Sequence, residues 1–355
     1  MDGNIQARVE GALSGDSLAM LPLLQATGEG QERLFAAAQA VRDQAFGPTA
    51  IVRGVVEITS ACRKSCLYCP MRVENHHRRY SLEATSVLDA AMAMRQAGLG
   101  VVFLQGGEVP GTARLLADQL PGIRRLFDGA VEILLGLGTR SRGDLALLRQ
   151  SGADSYILKH ETSDPALHLA VRGSPLSERL ECIRDLLDLG YRVGLGTIVG
   201  LPGQSPRSLV DDILLPRRMG AHMASASPFV PALATPFAEE AAGDFDRTLN
   251  VMALTRLLNP TALIPSVSAL ERLRPGGQRL GFMAGANVIT VNLPPSADRD
   301  RYVFYGHGLF VVRWDHALAT LASAGLAPRL GEAASSFWRC VSTAPGWRDG
   351  SPDRP

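Results

Sequence analysis

The chain has 355 residues, 46% of them hydrophobic, and a formal net charge of +1. This length allows a large single core, and the near-neutral charge argues against a protein that binds nucleic acid, which normally carries a basic excess. Because no apolar run reaches the roughly 18 to 20 residues of a membrane span and the N-terminus lacks an apolar signal stretch, we expect a cytoplasmic protein that does not bind a membrane.

The first part of the chain, residues 1–50, is predicted to be helical. Its helices lie over the segments SLAMLPLLQ and QERLFAAAQAVRDQAF. We interpret these residues as an N-terminal extension that packs on the domain that follows, and not as a separate domain.

Residues 51–330 alternate short β-branched runs with longer amphipathic segments. The predicted strands, in chain order, are GVVEIT, GVVFLQ, VEILLGL, SYILKH, RVGLGTIVG, HMASASPF, TALIPSV and ANVITVNL. Predicted helices between them include SVLDAAMAMRQAG, RGDLALLRQSG, RSLVDDILLPRRMG and FDRTLNVMALTRLL. Several of these helices stop at a glycine, as helix C-termini often do.

Alternation of strands and helices at this spacing predicts parallel strands joined by right-handed crossovers. Eight strands fit an α/β protein with a closed (β/α)8 barrel of the TIM type, whose site lies on the loops after the strands. The rival, an open doubly wound sheet, is disfavoured because no GxGxxG follows the first strand.

Residues 331–355 are rich in polar residues, Pro and Gly toward their end, and are expected to be partly disordered.

Three of the five cysteines, Cys62, Cys66 and Cys69, lie directly after the first predicted strand in the spacing C-x3-C-x2-C. In a reducing cytosol such a group binds metal more often than it forms disulfides. A zinc site usually has four ligands in two pairs, and the chain has no second pair. Three thiolates on a cubane iron–sulfur cluster would leave one iron open to a small molecule. The alternatives are structural thiols or a damaged zinc site.

The two remaining cysteines are isolated in the sequence. Cys182 lies in a helical pattern and is expected to be a buried core thiol, and Cys340 has no cysteine neighbour.

The cysteine motif after the first strand of a predicted barrel resembles that of the radical S-adenosylmethionine (SAM) enzymes. The resemblance implies a [4Fe–4S] cluster on Cys62, Cys66 and Cys69, which makes these the catalytic and metal-binding residues. It implies that SAM chelates the open iron and that an electron from the reduced cluster cleaves SAM. The resulting 5′-deoxyadenosyl radical abstracts hydrogen from a small-molecule substrate. An electron donor such as a flavodoxin or ferredoxin is implied too, and Tyr68 is implied to lie near the adenine.

Further motifs of the family follow on later strands. FLQGGE, residues 103–108, resembles the GGE motif, which implies that Gln105, Gly106, Gly107 and Glu108 bind SAM. Glycines let a backbone approach a ligand closely and a carboxylate suits a cationic group, although an ordinary strand-to-helix turn is the alternative.

Three segments complete the implied SAM site. The resemblance implies that Glu161, at the end of the fourth strand, faces the site, and that Arg179 meets the SAM carboxylate. GTIVG, after the fifth strand, matches the G-x-I-x-G pattern, which implies that Ile198 and Gly200 lie beside the adenine. A lone arginine on a helix is otherwise usually a surface residue.

Within the family, the order of these motifs resembles the biotin-synthase-like subgroup, and most of all the HydE-type [FeFe]-hydrogenase maturases and methylornithine synthase. The SAM-side motifs are kept, whereas Thr139 replaces a glutamate, Ala232 replaces a histidine, and Ser266 and Ser268 stand where the maturases tend to have threonines. The substrate is therefore expected to be small and polar, either amino-acid-like or a metallocofactor precursor. We expect it to contact Thr139, Arg140, Ser266 and Ser268.

Three other functions remain possible from the sequence: a methylornithine-synthase-like carbon-skeleton mutase, a non-catalytic iron–sulfur scaffold, and a sugar- or phosphate-handling barrel. Sulfur insertion of the biotin synthase type is not expected, because it uses a second cluster held by cysteines on neighbouring strands. This chain has Leu104, Gln105, Leu134 and Leu135 at those strand positions.

Overall fold

A computed structural model describes residues 3–14, 16–76, 79–293 and 310–331 of the chain. Its centre is a parallel sheet in the order β6-β5-β4-β3-β2-β1-β7, with β8 also pairing with β1. The strands are β1 (Thr49–Thr59), β2 (Val101–Gly106), β3 (Glu132–Gly136), β4 (Ser155–Ile157), β5 (Arg192–Val199), β6 (Met223–Pro228), β7 (Val288–Asn292) and β8 (Ala327–Arg329).

The segment between β6 and β7 closes the sheet into a ring. Leu263 forms a parallel bridge with Met223 of β6, and Pro265 forms one with Val288 of β7. TALIPSV was predicted as a regular seventh strand, but it makes these isolated bridges instead, because Pro265 has no N–H to donate to a ladder. The α/β fold with a TIM-type barrel is confirmed. The three-residue β8 was not predicted.

Helices flank the strands on the outside of the ring. They are α1 (Gly3–Leu13), α2 (Leu21–Leu24), α3 (Gly28–Phe46), α4 (Ala84–Gln96), α5 (Thr112–Leu126), α6 (Arg142–Gln150), α7 (Pro165–Arg172), α8 (Leu176–Asp188), α9 (Pro206–Arg218), α10 (Phe245–Leu258), α11 (Ser268–Leu273), α12 (Gly277–Met283) and α13 (Trp314–Ser323). The four helices predicted between strands are confirmed as α4, α6, α9 and α10.

Amphipathic patterning explains how the helices meet the sheet. In α5 the buried residues are Ala113, Leu116, Ala117, Leu120 and Ile123, which fall on one face of a helix. The central strands are buried on both faces, as expected for a parallel sheet covered by helices. No helix among the described residues is long and apolar enough to cross a membrane.

The N-terminal helices pack on α10 and α12. Gln31 donates to Asn250 Oδ1 at 2.9 Å, and the Asn250 amide donates to Ala26 O at 2.9 Å. Arg42 of α3 donates to Phe282 O of α12 at 2.6 Å. The division of the chain at residues 50 and 330 stays a prediction, and Cys340 and residues 332–355 lie outside the described residues.

Candidate active site

The loop that carries the three cysteines follows β1 at the C-terminal end of the barrel. The Arg79 guanidinium stabilises this loop by donating to Ser60 O and Met71 O at 2.7 Å each. The Arg63 N–H donates to Glu108 O at 3.0 Å, which ties the loop to the turn after β2. The Leu67 N–H donates to Val171 O of α7 at 2.8 Å. The loop is therefore fixed by backbone hydrogen bonds on several sides.

The environment of the thiols disfavours free thiolates. Burial raises the pKa of Cys66, and burial together with neighbouring Cys66 raises the pKa of Cys69 to about 12. A thiolate at these positions needs a compensating cation such as iron. The Glu108 N–H lies 3.4 Å from Cys62 Sγ and donates to it, a contact that stabilises sulfur ligands of a cluster.

The described residues contain no group of three His, Cys, Asp or Glu side chains arranged around a single metal ion. Each thiolate of a [4Fe–4S] cluster binds a different iron, so its cysteines need not converge on one point. The spacing of the three thiols among the described residues is therefore compatible with a cluster.

The turn after β2 lies directly against the cysteine loop. A Cβ added to Gly107 would lie 2.1 Å from Ala61 O and 2.7 Å from Cys62 Cβ, so glycine is required for the two loops to touch. A Cβ on Gly138 would lie 2.2 Å from Glu108 Cγ. Two glycines thus make room for the cysteine loop and for the Glu108 side chain.

Glu108 is a buried carboxylate among cations. Its Oε1 accepts from Arg172 Nη2 at 3.1 Å and lies 3.7 Å from Arg179 Nη2. Its Oε2 lies 3.7 Å from Lys64 Nζ and has no hydrogen-bond partner within the described part of the chain. A buried carboxylate oxygen without a hydrogen bond costs free energy, which a cationic ligand would recover.

Glu161 is the second buried carboxylate of the site. It pairs with Lys159 Nζ at 3.2 Å and lies 3.9 Å from Arg172 Nη1. Burial alone would raise its pKa, but Lys159, Arg172 and Arg179 outweigh burial and lower it. Its backbone φ of +65° lies in the left-handed region, which costs a residue with a side chain roughly 1 kcal/mol or more.

Arg172 connects these groups, and the sequence did not single it out. Besides Glu108 and Glu161, it contacts Tyr68, whose hydroxyl accepts from Nη1 at 3.0 Å. It is the last residue of α7, before a glycine that ends the helix. A basic residue in a last helical turn is common, so its position gave no signal of a role in the site.

Tyr68 and Ile198 meet in a small apolar cluster beside the charged groups. Ile198 is buried with Val171, Leu201 and Phe229, and Tyr68 packs against them. In the same turn Gly200 has φ +87°, and a Cβ there would lie 2.4 Å from Gly243 Cα. The backbone of this turn therefore approaches the next loop more closely than any other residue type would allow.

A cavity of about 510 Å³ opens beside the cysteines and extends into the barrel. Most of the predicted site residues line it, namely Cys62, Cys66, Tyr68, Cys69, Gln105, Gly106, Gly107, Glu108, Glu161, Arg179, Ser266 and Ser268. Ser266 also donates its hydroxyl to Gln278 O of α12 at 2.6 Å. Ile198, near the end of β5, and Gly200, in the turn after it, do not line the cavity.

Thr139 and Arg140 do not line the cavity either. The Arg140 guanidinium donates to Gly107 O and to Leu137 O, both at 3.1 Å, and to Val109 O. It joins the loops after β2 and β3, so its donors are used within the protein. The geometry does not support the prediction that these two residues contact the substrate.

Sequence comparison identifies the family. A model described as the radical SAM superfamily matches residues 56–215. The HydE subunit of the [FeFe]-hydrogenase maturase of Thermotoga maritima is 36% identical over 289 residues, covering 81% of this chain and 82% of that protein. The chain belongs to the radical SAM superfamily. A 3-methylornithine synthase of Methanosarcina barkeri is 26% identical over 79% of this chain and 80% of its own. A biotin synthase of Pseudomonas putida is 26% identical over 77% and 81%.

Solved structures share the fold. Methylornithine synthase (PylB) superposes with a TM-score of 0.80 at 22% identity, covering 94% of this chain and 99% of that one. The maturase HydG from Carboxydothermus hydrogenoformans gives 0.76 at 20% identity, covering 92% and 79%. The chain is thus a radical SAM enzyme with the TIM-like fold of that superfamily.

Radical SAM enzymes bind a [4Fe–4S] cluster and SAM, and the residues present fit both groups. Three thiols line the cavity, and burial shifts two of them, Cys66 and Cys69, toward the neutral form by raising their pKa. Beside them, the Glu108 Oε2 without a hydrogen bond and the buried Arg179 offer an anion and a cation to the two charged ends of an amino acid.

A second cluster of the biotin synthase type has no ligands in the cavity. Among the described residues, the cysteines that line it are Cys62, Cys66 and Cys69. Leu104 and Leu134 are buried in apolar packing, and Cys182 lies outside the cavity with its thiol 3.5 Å from Arg140 O.

Proposed function

We propose that this radical SAM enzyme reductively cleaves SAM at a [4Fe–4S] cluster and acts on a small polar substrate, as a HydE-like enzyme. The substrate is amino-acid-like or a metallocofactor precursor. The observation that carries the proposal is that the three cysteines line a cavity whose wall also holds the buried charges of Glu108, Glu161, Arg172 and Arg179. When bound, the cluster and SAM supply the 5′-deoxyadenosyl radical that removes a hydrogen atom from the substrate.

The protein's residues bind and orient the reactants. Cys62, Cys66 and Cys69 hold the cluster and leave one iron for SAM. Glu108 takes the methionine ammonium of SAM and Arg179 its carboxylate, a pairing of opposite charges at a site that excludes bulk water. Tyr68, Ile198 and Gly200 enclose the adenine. Glu161 faces SAM on the cavity side.

The inner part of the cavity is the substrate chamber. Polar groups from three strands and from α12 line the cavity, among them Gln105, Ser225, Asn292 and Gln278. A chamber of this kind suits a molecule with several hydrogen-bonding groups. The reaction consumes an electron, so we propose a flavodoxin or ferredoxin as donor and a reducing cytosol as the compartment, where the thiols stay free.

A methylornithine-synthase-like mutase is the second candidate, supported by the likeness to that enzyme in both sequence and fold. A non-catalytic iron–sulfur scaffold is less well supported, because a scaffold has no need of the buried charges beside the cysteines. The residues around the substrate would distinguish the HydE-like enzyme from the mutase, because the charged residues around SAM suit both.

The test is anaerobic reconstitution followed by reductive cleavage of SAM. We expect close to four irons and four sulfides per chain, and 5′-deoxyadenosine formation with dithionite as the electron source. An iron content clearly above four per chain, or conversion of dethiobiotin, would contradict a single-cluster enzyme. A full cluster with no cleavage of SAM would favour the scaffold. Formation of methylornithine would favour the mutase over the HydE-like reaction.

A further inference from the structure

Asp212 is a buried carboxylate that lies outside the cavity. It belongs to α9, on the outer layer of the barrel, and its side chain has no exposed surface. It does not line the cavity, and no family motif named above includes it. A carboxylate with no access to water is costly unless several donors satisfy it, so its partners reveal what keeps it there.

The donors to Asp212 come from two separate turns of the barrel. The backbone N–H of Ser163, in the turn after β4, donates to Oδ1. From the end of β5 and the turn after it, the Thr197 hydroxyl lies 3.0 Å from Oδ2 and Gln204 Nε2 donates to Oδ2 at 3.1 Å. His160 Nε2 lies 3.6 Å from Oδ1. One carboxylate therefore joins both turns.

Each of these turns carries residues assigned above to SAM. Glu161, with its left-handed backbone, lies between His160 and Ser163. Its carbonyl accepts from the Ile198 N–H at 2.8 Å and lies 2.8 Å from the Thr197 hydroxyl. The second turn is held closed by Gln204, which donates to Ile198 O at 2.9 Å and accepts from the Gly200 N–H at 2.7 Å.

The backbone strain at Glu161 makes the hydrogen bonds of Asp212 important for the position of that residue. A non-glycine residue at φ +65° persists when surrounding hydrogen bonds hold it, and the Ser163 N–H to Asp212 bond fixes the backbone just after it. An asparagine at position 212 keeps the shape but turns one acceptor into an NH2 donor. That donor would face either the Ser163 N–H or the Gln204 amide, both of which already donate.

We propose that Asp212 is a positioning residue for SAM: it sets the turn with Glu161 and the turn with Ile198 and Gly200 relative to each other. The proposal rests on the proposed function, because it concerns the same SAM site. Asp212 contacts neither SAM nor the cluster in this scheme. It acts through hydrogen bonds to the backbone and side chains of the two turns.

The test compares Asp212→Asn with Asp211→Asn in the reconstituted holoenzyme. Asp211 is the neighbouring residue on α9, 42% exposed, and pairs with Arg218 at the surface. We expect Asp212→Asn to retain a normal iron content but to raise the KM for SAM about tenfold, with a smaller change in kcat, since displacing the two turns weakens the SAM contacts that they carry. The SAM-induced change in the EPR spectrum of the reduced cluster should need correspondingly more SAM. Asp211→Asn should match the wild type.

A wild-type KM in Asp212→Asn would overturn the proposal. If that variant does not fold, Thr197→Val and Thr197→Ser decide: the valine should raise the KM for SAM severalfold and the serine, which keeps the hydroxyl, should restore it. Equal KM values in both variants would also overturn it. If the wild type itself cleaves no SAM, the proposed function fails, whereas cleavage by the wild type with an unaffected Asp212→Asn removes this inference alone.

Discussion

Two buried arginines, Arg256 near the N-terminal ends of the strands and Arg172 at the C-terminal end, show how differently the two ends of the barrel use charge. Arg256 donates to four carbonyl oxygens, of Asn259, Pro260, Ala262 and Gly285, and to Asn287 Oδ1. Its guanidinium also lies 5.0 Å from the Phe46 ring centroid. All these partners are fixed parts of the fold, and burial lowers its pKa to about 9.

Arg172 lies among carboxylates instead of carbonyls. Burial alone would lower its pKa, but Tyr68, Cys66, Glu161 and Glu108 outweigh burial and raise it. Its Nε is buried without a hydrogen bond in the described part of the chain, as is Glu108 Oε2. The buried charge of Arg256 is thus satisfied within the protein, whereas Arg172 lies in a site that leaves polar groups for ligands. The first arrangement serves stability and the second serves function.

The largest expected effect is at the site end, where Cys62→Ala should abolish the cluster. Removing one of three thiolate ligands leaves two, too few to hold the irons. Iron analysis and the visible spectrum after reconstitution measure the loss, and circular dichroism should show an intact fold. Cys182→Ala is the matched control, as a buried cysteine outside the cavity. A normal cubane spectrum in Cys62→Ala would refute the ligand assignment.

The next effect is at the opposite end. Arg256→Met should lower the free energy of unfolding by about 3 to 5 kcal/mol, because several buried carbonyl oxygens lose their donor at once. Thermal or denaturant unfolding measures it, with the exposed Arg218→Met as control. The folded fraction should bind SAM as the wild type does. A stability loss under about 1 kcal/mol, or a specific loss of SAM affinity, would contradict the contrast between the two ends.

A smaller effect is expected for Arg179→Ala. A charge-assisted contact to a ligand contributes roughly 1.5 to 3 kcal/mol, so SAM should bind about tenfold or more weakly. Arg184→Ala, an exposed arginine on the same helix, should leave the affinity unchanged. Equilibrium binding of SAM to the reconstituted protein distinguishes the two. Equal affinities would show that Arg179 does not hold the SAM carboxylate.

The smallest effect concerns how the free energy of unfolding depends on pH. Glu132 of β3 and Glu161 should contribute to this dependence in opposite ways. Burial raises the pKa of Glu132, so the stability contributed by its bound proton is full below the unfolded pKa and is lost as the pH rises through the raised value. The pKa of Glu161 is lowered, so its contribution is full above the unfolded pKa and is lost only as the pH falls through the lowered value.

Melting temperatures of the wild type, Glu132→Gln and Glu161→Gln between pH 5.5 and 8 test this difference. The difference in free energy of unfolding between the wild type and Glu132→Gln should change with pH, by at most about 1.4 kcal/mol per pH unit. The wild type should lose stability relative to the variant as the pH rises. The difference for Glu161→Gln should stay constant. A constant free-energy difference for both variants would show that the pKa of Glu132 is not raised into this pH range.

Local patterns predicted much of the fold and of the site. The cysteines and the GGE turn are contiguous motifs, and the strands carry the continuous apolar runs of a sheet covered on both faces. Arg172 was missed because its role depends on a contact between α7 and the turn after β2, distant in sequence. The direction of the Arg140 side chain, decided by three carbonyls from two loops, could not be predicted from its position after a strand either.

The bridging segment at Leu263 and Pro265 has a consequence for how such a barrel can diversify. Ser266, which follows it in the cavity wall, is held by a two-way exchange with Gln278, whose Nε2 donates to Ser266 O at 2.9 Å. The geometry of this wall thus depends on α12 as well as on β7, to which the Ser266 N–H donates at Val288 O. Substitutions in α12 can change the shape of the cavity while the strands that position the cysteines keep their register. A relative of this protein could therefore bind a new substrate without a change in the residues that hold the cluster and SAM.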